Sequence, residues 1–200
     1  LTLVSDQQLN QMGAQTFEQY QQELPTVGGA TLNYVQCVSN AIVAELPSSN
    51  LAPSWQVKVF DDPSANAFAL PGGYIGVNTG LLEIASNQDQ LAAVIGHEVS
   101  HVLARHANER VSTQQATQLG LSVIQSAAGI QGPQGDAIMG ALGAGAQYGI
   151  MLPFSRSHES EADTLGIQLM ADAGFDPRAS VTLWEKMSQA GGGQPPVWMS

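Results

Sequence analysis

Cations are scarce in this 200-residue chain: 6 Lys and Arg stand against 17 Asp and Glu, for a formal net charge of -11. Binding to a nucleic-acid backbone needs clustered Lys and Arg, so that class of function is set aside, as is docking on anionic lipid through a polybasic patch. Charge of either sign is low as well. Only 12% of residues are charged, about half the usual share, and Gln, Asn, Ser and Gly carry the polarity instead. The single cysteine, Cys37, excludes an internal disulfide, a Cys-rich zinc module and a CxxC redox pair. Set in an apolar helical pattern, it is expected to be a small, inert hydrophobe. No run of apolar residues is long enough to predict a membrane-spanning helix. The chain opens at Leu1 without the charged and apolar regions of a signal peptide, and it stops shortly after Pro195 and Pro196. Both ends read as cut from something longer.

What remains is ordinary globular material. A hydrophobic fraction of 44% and this length suit one domain over residues 1–200 with a real core. Within it the expectation is a helical arm over 1–30, a low-charge Gly/Ala-rich helical insertion over 111–155, and a truncated C-terminus. Helical spacing recurs over Ser5 to Leu24 and over Leu32 to Leu46, and Trp55 to Phe60 alternates with period two as a half-buried strand does. Two β-prone runs, Asn66 to Leu70 and Tyr74 to Asn78, flank Pro71-Gly72-Gly73 and predict a hairpin. Thr79 then stands as the cap of a short helix. A long helical pattern runs from Ser86 toward Arg110, and further helices are predicted from Ser157 to Ala173 and from Pro177 to Gln189. The fold class is therefore α+β, mostly helical, with a small β-sheet.

The chemistry concentrates in His97-Glu98-Val99-Ser100-His101. Residues four apart share one helix face, so both imidazoles can reach a single tetrahedral ion. Zinc accepts neutral imidazole, and a catalytic zinc takes three protein ligands and leaves one position open. Glu98 stands beside the pair, placed to take a proton from water and deliver it to a leaving amine. A third ligand must come from elsewhere. A metzincin would have Gly and His where this chain has Ala104 and Ala107. On one continuous helix His106 lies half a turn round from His97 and faces away.

Downstream, Glu159 and Asp163 are again four apart. Glu159 completes a His-His-Glu set, and Asp163 can accept the other ring N–H of a ligating histidine. Glu161, about 200° round the helix from Glu159, cannot share that face. His158, about 100° away, either touches the site or is simply exposed.

With Ser155-Arg156-x-x-Glu159-x-Glu161-Ala162-Asp163 following the HExxH element, and Asn66 to Gly80 and Asp176-Pro177 around it, the chain resembles the forty-eighth metallopeptidase family. That group includes HtpX, the CAAX prenyl endopeptidase, the mitochondrial Oma protease and BepA- and LoiP-type proteases. The resemblance implies a zincin-like gluzincin fold with the sheet beside the HExxH helix. It implies one Zn²⁺ per chain on His97, His101 and Glu159, Glu98 as base and acid, and Asp163 behind a ligand.

A zinc endopeptidase of cell-envelope quality control follows as the leading expectation, in the soluble, exported branch facing the periplasm or attached to the outer membrane. A chaperone or assembly factor that uses the site to bind unfolded clients is the alternative. Residues Asn66, Ala67, Phe68 and Ala69, with the strand running on to Leu70, or else the Tyr74 to Val77 strand, are expected to offer an edge to an extended substrate backbone. The expected partners are unfolded or flexible proteins, with an outer-membrane protein or a lipoprotein anchor beside them and no nucleic acid; the sequence sets no oligomeric state. The 112–154 stretch reads either as a cover over the cleft or as a packed helical hairpin.

Overall fold

The computed structural model describes residues 4–114 and 154–190. The insertion expected over 111–155 falls outside the described residues from 115 to 153, as does the tail from 191. Helix α1 (Asp6–Glu23) begins at Ser5, whose side chain accepts from Gln8 N while Gln8 reaches back to the Ser5 amide. This reciprocal box satisfies two otherwise orphaned donors. Helix α2 (Gly29–Val43) buries Val35, Val38 and Ile42. Cys37 departs from expectation. It is exposed, because it lies about 100° round the helix from Val38 and so falls off the buried face.

Strands β1 (Gln56–Phe60), β2 (Ala67–Leu70) and β3 (Tyr74–Asn78) form one sheet in the order β1-β3-β2. β1 runs parallel to β3, whereas β2 is antiparallel to it. The β2–β3 hairpin closes through Gly72 and Gly73, at φ 98 and 93, a backbone region that side-chain-bearing residues rarely enter. The outer edge of β1 is taken: Val27 N donates to Val59 O at 2.9 Å and Asp61 N to Pro25 O at 2.8 Å. β3 lies between the other two strands, so Tyr74 to Val77 has no free edge to offer a substrate; among the described residues, no strand pairs with the outer edge of β2.

Alternation along the strands sorts their side chains into two cores. Val57, Val59, Ala67, Ile75 and Val77 pack with α2 and the central helix. Phe60, Phe68 and Leu70 pack with Leu9 and Phe17 of α1. The short helix α3 (Thr79–Ile84) is entered from Asn78, not capped by Thr79. The Thr79 hydroxyl donates instead to Asp62 O, which ties the loop after β1 to the start of α3.

Helix α4 (Gln88–Leu103), capped by Asn87, is buried from Gln90 through Val102. A helix that is buried on every side belongs in the interior, and α4 lies among the sheet, α2 and two later helices, α6 (Arg156–Asp172) and α7 (Ala179–Ala190). The helical pattern toward Arg110 does not run through. α4 ends at Leu103, Arg105 turns to φ 62, and the chain resumes as α5 (106–114). Arg105 Nη2 pairs with Asp6 Oδ1 at 2.7 Å and so anchors the break to α1. Among the described residues, no helix is long and apolar enough to cross a membrane.

Candidate metal centre

His97, Glu98 and His101 project from α4 with ligand-capable atoms all within 4.8 Å of one another, and all three are buried. Helix α6 brings the fourth group. Its N-cap Ser155 accepts from His158 N, which fixes where the helix starts and puts Glu159 in the first turn. Glu159 Oε2 lies 2.9 Å from His97 Nε2, and Oε1 lies 3.3 Å from His101 Nε2. One turn on, Asp163 Oδ1 lies 2.8 Å from His97 Nδ1. Glu98 Oε2 sits 3.9 Å from His97 Nε2.

Several of these atoms have nothing to bind. Glu98 Oε2, His101 Nε2 and Glu159 Oε1 are buried without a hydrogen-bond partner, the last two facing each other out of alignment. Unpaired buried polar atoms are costly, and three on neighbouring side chains, with Glu159 Oε1 facing His101 Nε2, mark a place for a cation. Two imidazole nitrogens and a carboxylate oxygen are the donor types that zinc takes at a catalytic site with one position left open. The residues present therefore fit that ion.

The electrostatics agree. Burial works against a charge on His97, but hydrogen bonds to Asp163 and Glu159 and the proximity of Glu98 outweigh it, pushing its pKa up to about 10. Burial lowers His101 to about 4, against the pull of Glu159. Burial raises Glu98 to about 8, with His97 pulling it down and Glu159 pushing it further up. Glu159 is buried too, yet the two rings hold its carboxyl below the ordinary range. Such opposed shifts in one small cluster are typical of a functional site.

Of the residues expected to meet substrate, Ala67, Phe68 and Ala69 lie in β2 and Asn66 immediately precedes it. Asn66 O accepts from Asn78 N. By the alternation of an antiparallel ladder, the main-chain groups of Asn66 and Phe68 then face β3, while those of Ala67 and Ala69 turn to the outer edge, which no strand among the described residues takes. The Phe68 ring is buried against Phe17, Tyr20 and Phe60, so only backbone is on offer there.

At the site itself, the expectation for His106 is overturned. His106 does not face away: it is buried, with Nδ1 2.9 Å from His101 Nδ1 and Nε2 3.0 Å from Glu161 Oε2. The break at Arg105 turns it back toward α4. Nothing in Ala104-Arg105 announces a break, since both are good helix formers. Phe154 was also missed; it stacks on His101 at 4.1 Å and carries the Arg110 guanidinium 3.8 Å above its ring. Glu161, as expected, does not join the ligand face, and His158 pairs with Glu109 at 2.6 Å.

The profile of Peptidase family M48 matches residues 30–200. The mitochondrial metalloendopeptidase OMA1 of Schizosaccharomyces pombe is 38% identical over 169 residues, covering 84% of this chain and 47% of its own length. The Arabidopsis thaliana protein of the same name is 41% identical over 141 residues, covering 70% of this chain and 27% of its own length. The beta-barrel assembly-enhancing protease of Escherichia coli (strain K12) is 31% identical over 184 residues, covering 88% of this chain and 37% of its own length. The chain thus spans less than half the length of these relatives. With a His-Glu-His cluster on one helix, a carboxylate from a second helix facing it, and a profile match over most of its length, the chain belongs to peptidase family M48, a family of zinc-dependent metallopeptidases.

Proposed function

We propose that this chain is the catalytic part of a zinc endopeptidase that cleaves unfolded or flexible proteins in cell-envelope quality control. The observation that carries the reading is Glu98, buried beside both imidazoles with Oε2 unpaired. His97, His101 and Glu159 would hold the ion. A bound zinc supplies Lewis acidity, polarising the scissile carbonyl and lowering the pKa of water. Glu98 takes a proton from the attacking water and passes it to the leaving amine, a role its place beside both imidazoles allows. Asp163, accepting from His97 Nδ1, holds that ring with Nε2 turned inward.

The open edge of β2 supports the choice of substrate. Ala69 and Ala67 can pair with an extended backbone as an added strand does, a mode that reads main chain and favours unfolded clients. The E. coli relative is named for enhancing beta-barrel assembly, which supports a cell-envelope setting on the periplasmic side, whereas the OMA1 relatives are named as mitochondrial.

Casein degradation with and without a chelator, beside metal analysis, tests the reading. Cleavage that stops on chelation and returns with one zinc per chain is expected. One zinc per chain with no cleavage of any unfolded client would instead favour a binder of such clients.

A further inference from the structure

The two histidines of the HExxH element are supported differently. His97 Nδ1 meets a carboxylate directly, Asp163, at 2.8 Å. His101 Nδ1 meets a second imidazole, His106 Nδ1, at 2.9 Å, and the far nitrogen of that ring meets Glu161 Oε2 at 3.0 Å. His106 is 1% exposed, so water does not compete for it. The protons along this chain have one consistent arrangement. His101 Nε2 faces Glu159 and must offer a lone pair to bind an ion, so its ring proton sits on Nδ1 and donates to His106. His106 Nδ1 then accepts, its proton sits on Nε2, and that N–H donates to Glu161.

The ring planes are held as well as the protons. Phe154 stacks on His101 at 4.1 Å with 19° between planes. His106 stacks on His158 at 4.2 Å and 14°, and His158 is itself pinned by Glu109. Helix α6 thus contributes three carboxylates with separate tasks. Glu159 faces the two HExxH rings, where it would meet an ion, Asp163 contacts His97, and Glu161 contacts His106, one residue further removed.

We infer that His106 is a positioning residue, which fixes the ring proton and the plane of His101 and links that ring through Glu161 to α6. The inference rests on the reading of His101 as a ligand. Partners behind a ligating histidine typically change metal affinity ~10–100-fold when removed, so the effect belongs in that range.

Zinc affinity of the metal-stripped full chain, measured by competition with a chromogenic chelator, tests this. His106→Phe keeps a ring against His158 but offers no acceptor, whereas His106→Asn places Oδ1 near the position of Nδ1. His106→Phe is expected to bind zinc ~10–100-fold more weakly, with Asn recovering most of the loss and the Co²⁺ visible spectrum altered in Phe alone. Glu161, with its side chain 54% exposed, tolerates replacement, so Glu161→Ala decides the matter if His106→Phe does not fold; a several-fold loss is expected. Equal losses in Phe and Asn, unchanged affinity in Glu161→Ala, or ¹⁵N spectra of the zinc-loaded protein showing the His106 proton on Nδ1 would each overturn the inference. His101→Phe keeps the two readings apart. If that variant binds zinc as wild type does, the ligand assignment fails; if it does not bind while His106→Phe does so normally, only the role of His106 fails.

Discussion

Gly96 and Gly166 stand where α4 and α6 cross, and neither has room for a methyl group. A Cβ at Gly166 would lie 2.8 Å from His97 N, and one at Gly96 would lie 2.9 Å from Gly166 O. Both distances are too short for real carbon contacts, and the atoms met are backbone, which cannot swing aside. The close approach lets Glu159 and Asp163, on the same helix as Gly166, reach the His97 ring. Gly166→Ala should therefore force the helices apart, costing ~1–3 kcal/mol as overpacking does and weakening zinc binding at the same time. Denaturant unfolding and zinc titration check this together; a variant unchanged in both would show that the crossing does not set the site.

Glu98→Gln separates chemistry from metal binding. The substitution keeps shape and removes the proton acceptor, so zinc content should stay at one per chain while peptide hydrolysis falls by ~10²–10⁴-fold. Full proteolysis with zinc retained would remove Glu98 from the catalytic role.

Asp163→Ala deprives His97 Nδ1 of its acceptor, 2.8 Å away in the native protein. Zinc affinity should fall ~10–100-fold. Asp163→Asn keeps an acceptor oxygen and should lose less, so the ratio of the two affinities measures what the negative charge adds. Identical affinity in wild type and Asp163→Ala would contradict the assignment.

In the metal-free protein, pH should act through the same cluster. Burial opposes a charged His97, yet Asp163 and Glu159 hold its pKa at about 10, above the unfolded value of ~6.5. That stabilisation is full below ~6.5 and is lost as pH rises toward 10. Glu98, raised by burial to about 8, has the same sign: its contribution is lost as pH climbs from ~4.3 toward 8. His101, lowered by burial to about 4, has the opposite one and costs stability as pH falls from ~6.5 toward 4. Zinc binding needs deprotonated imidazoles. Hence the difference in Tm between zinc-loaded and chelator-treated protein should widen from pH 6.5 to 9. Thermal scans across that range check it, and a constant difference would count against these shifts.

Ala69→Pro probes the open edge of β2. By the ladder alternation the Ala69 N–H points outward, so proline removes a donor available to substrate without cutting the β2–β3 pairing. Proteolysis of unfolded substrates should fall mainly through kcat/KM, with zinc affinity unchanged. Unaltered kcat/KM would rule out backbone pairing at that edge.

Local rules already settle much of this protein. The Ser5 and Gln8 box starts α1, the paired glycines after Pro71 close the hairpin, and the His97 and His101 spacing puts two imidazoles on one face. Each depends on residues within a few positions of one another, so each is legible along the chain. The same holds for the pairing of Glu159 with Asp163 on one side of α6.

Tertiary structure decided the rest. Ala104 and Arg105 are good helix formers, yet the helix breaks there, with Arg105 held by Asp6 from 99 residues away. No local preference encodes that contact, and the break is what turns His106 toward His101. Cys37 lies in an apolar stretch, but which arc of α2 is buried depends on where the sheet and α4 pack against it. The convergence of Glu159 on the histidines likewise needs two glycines 70 positions apart to meet. Sequence periodicity sets which face a side chain occupies; only packing between distant elements sets what that face meets.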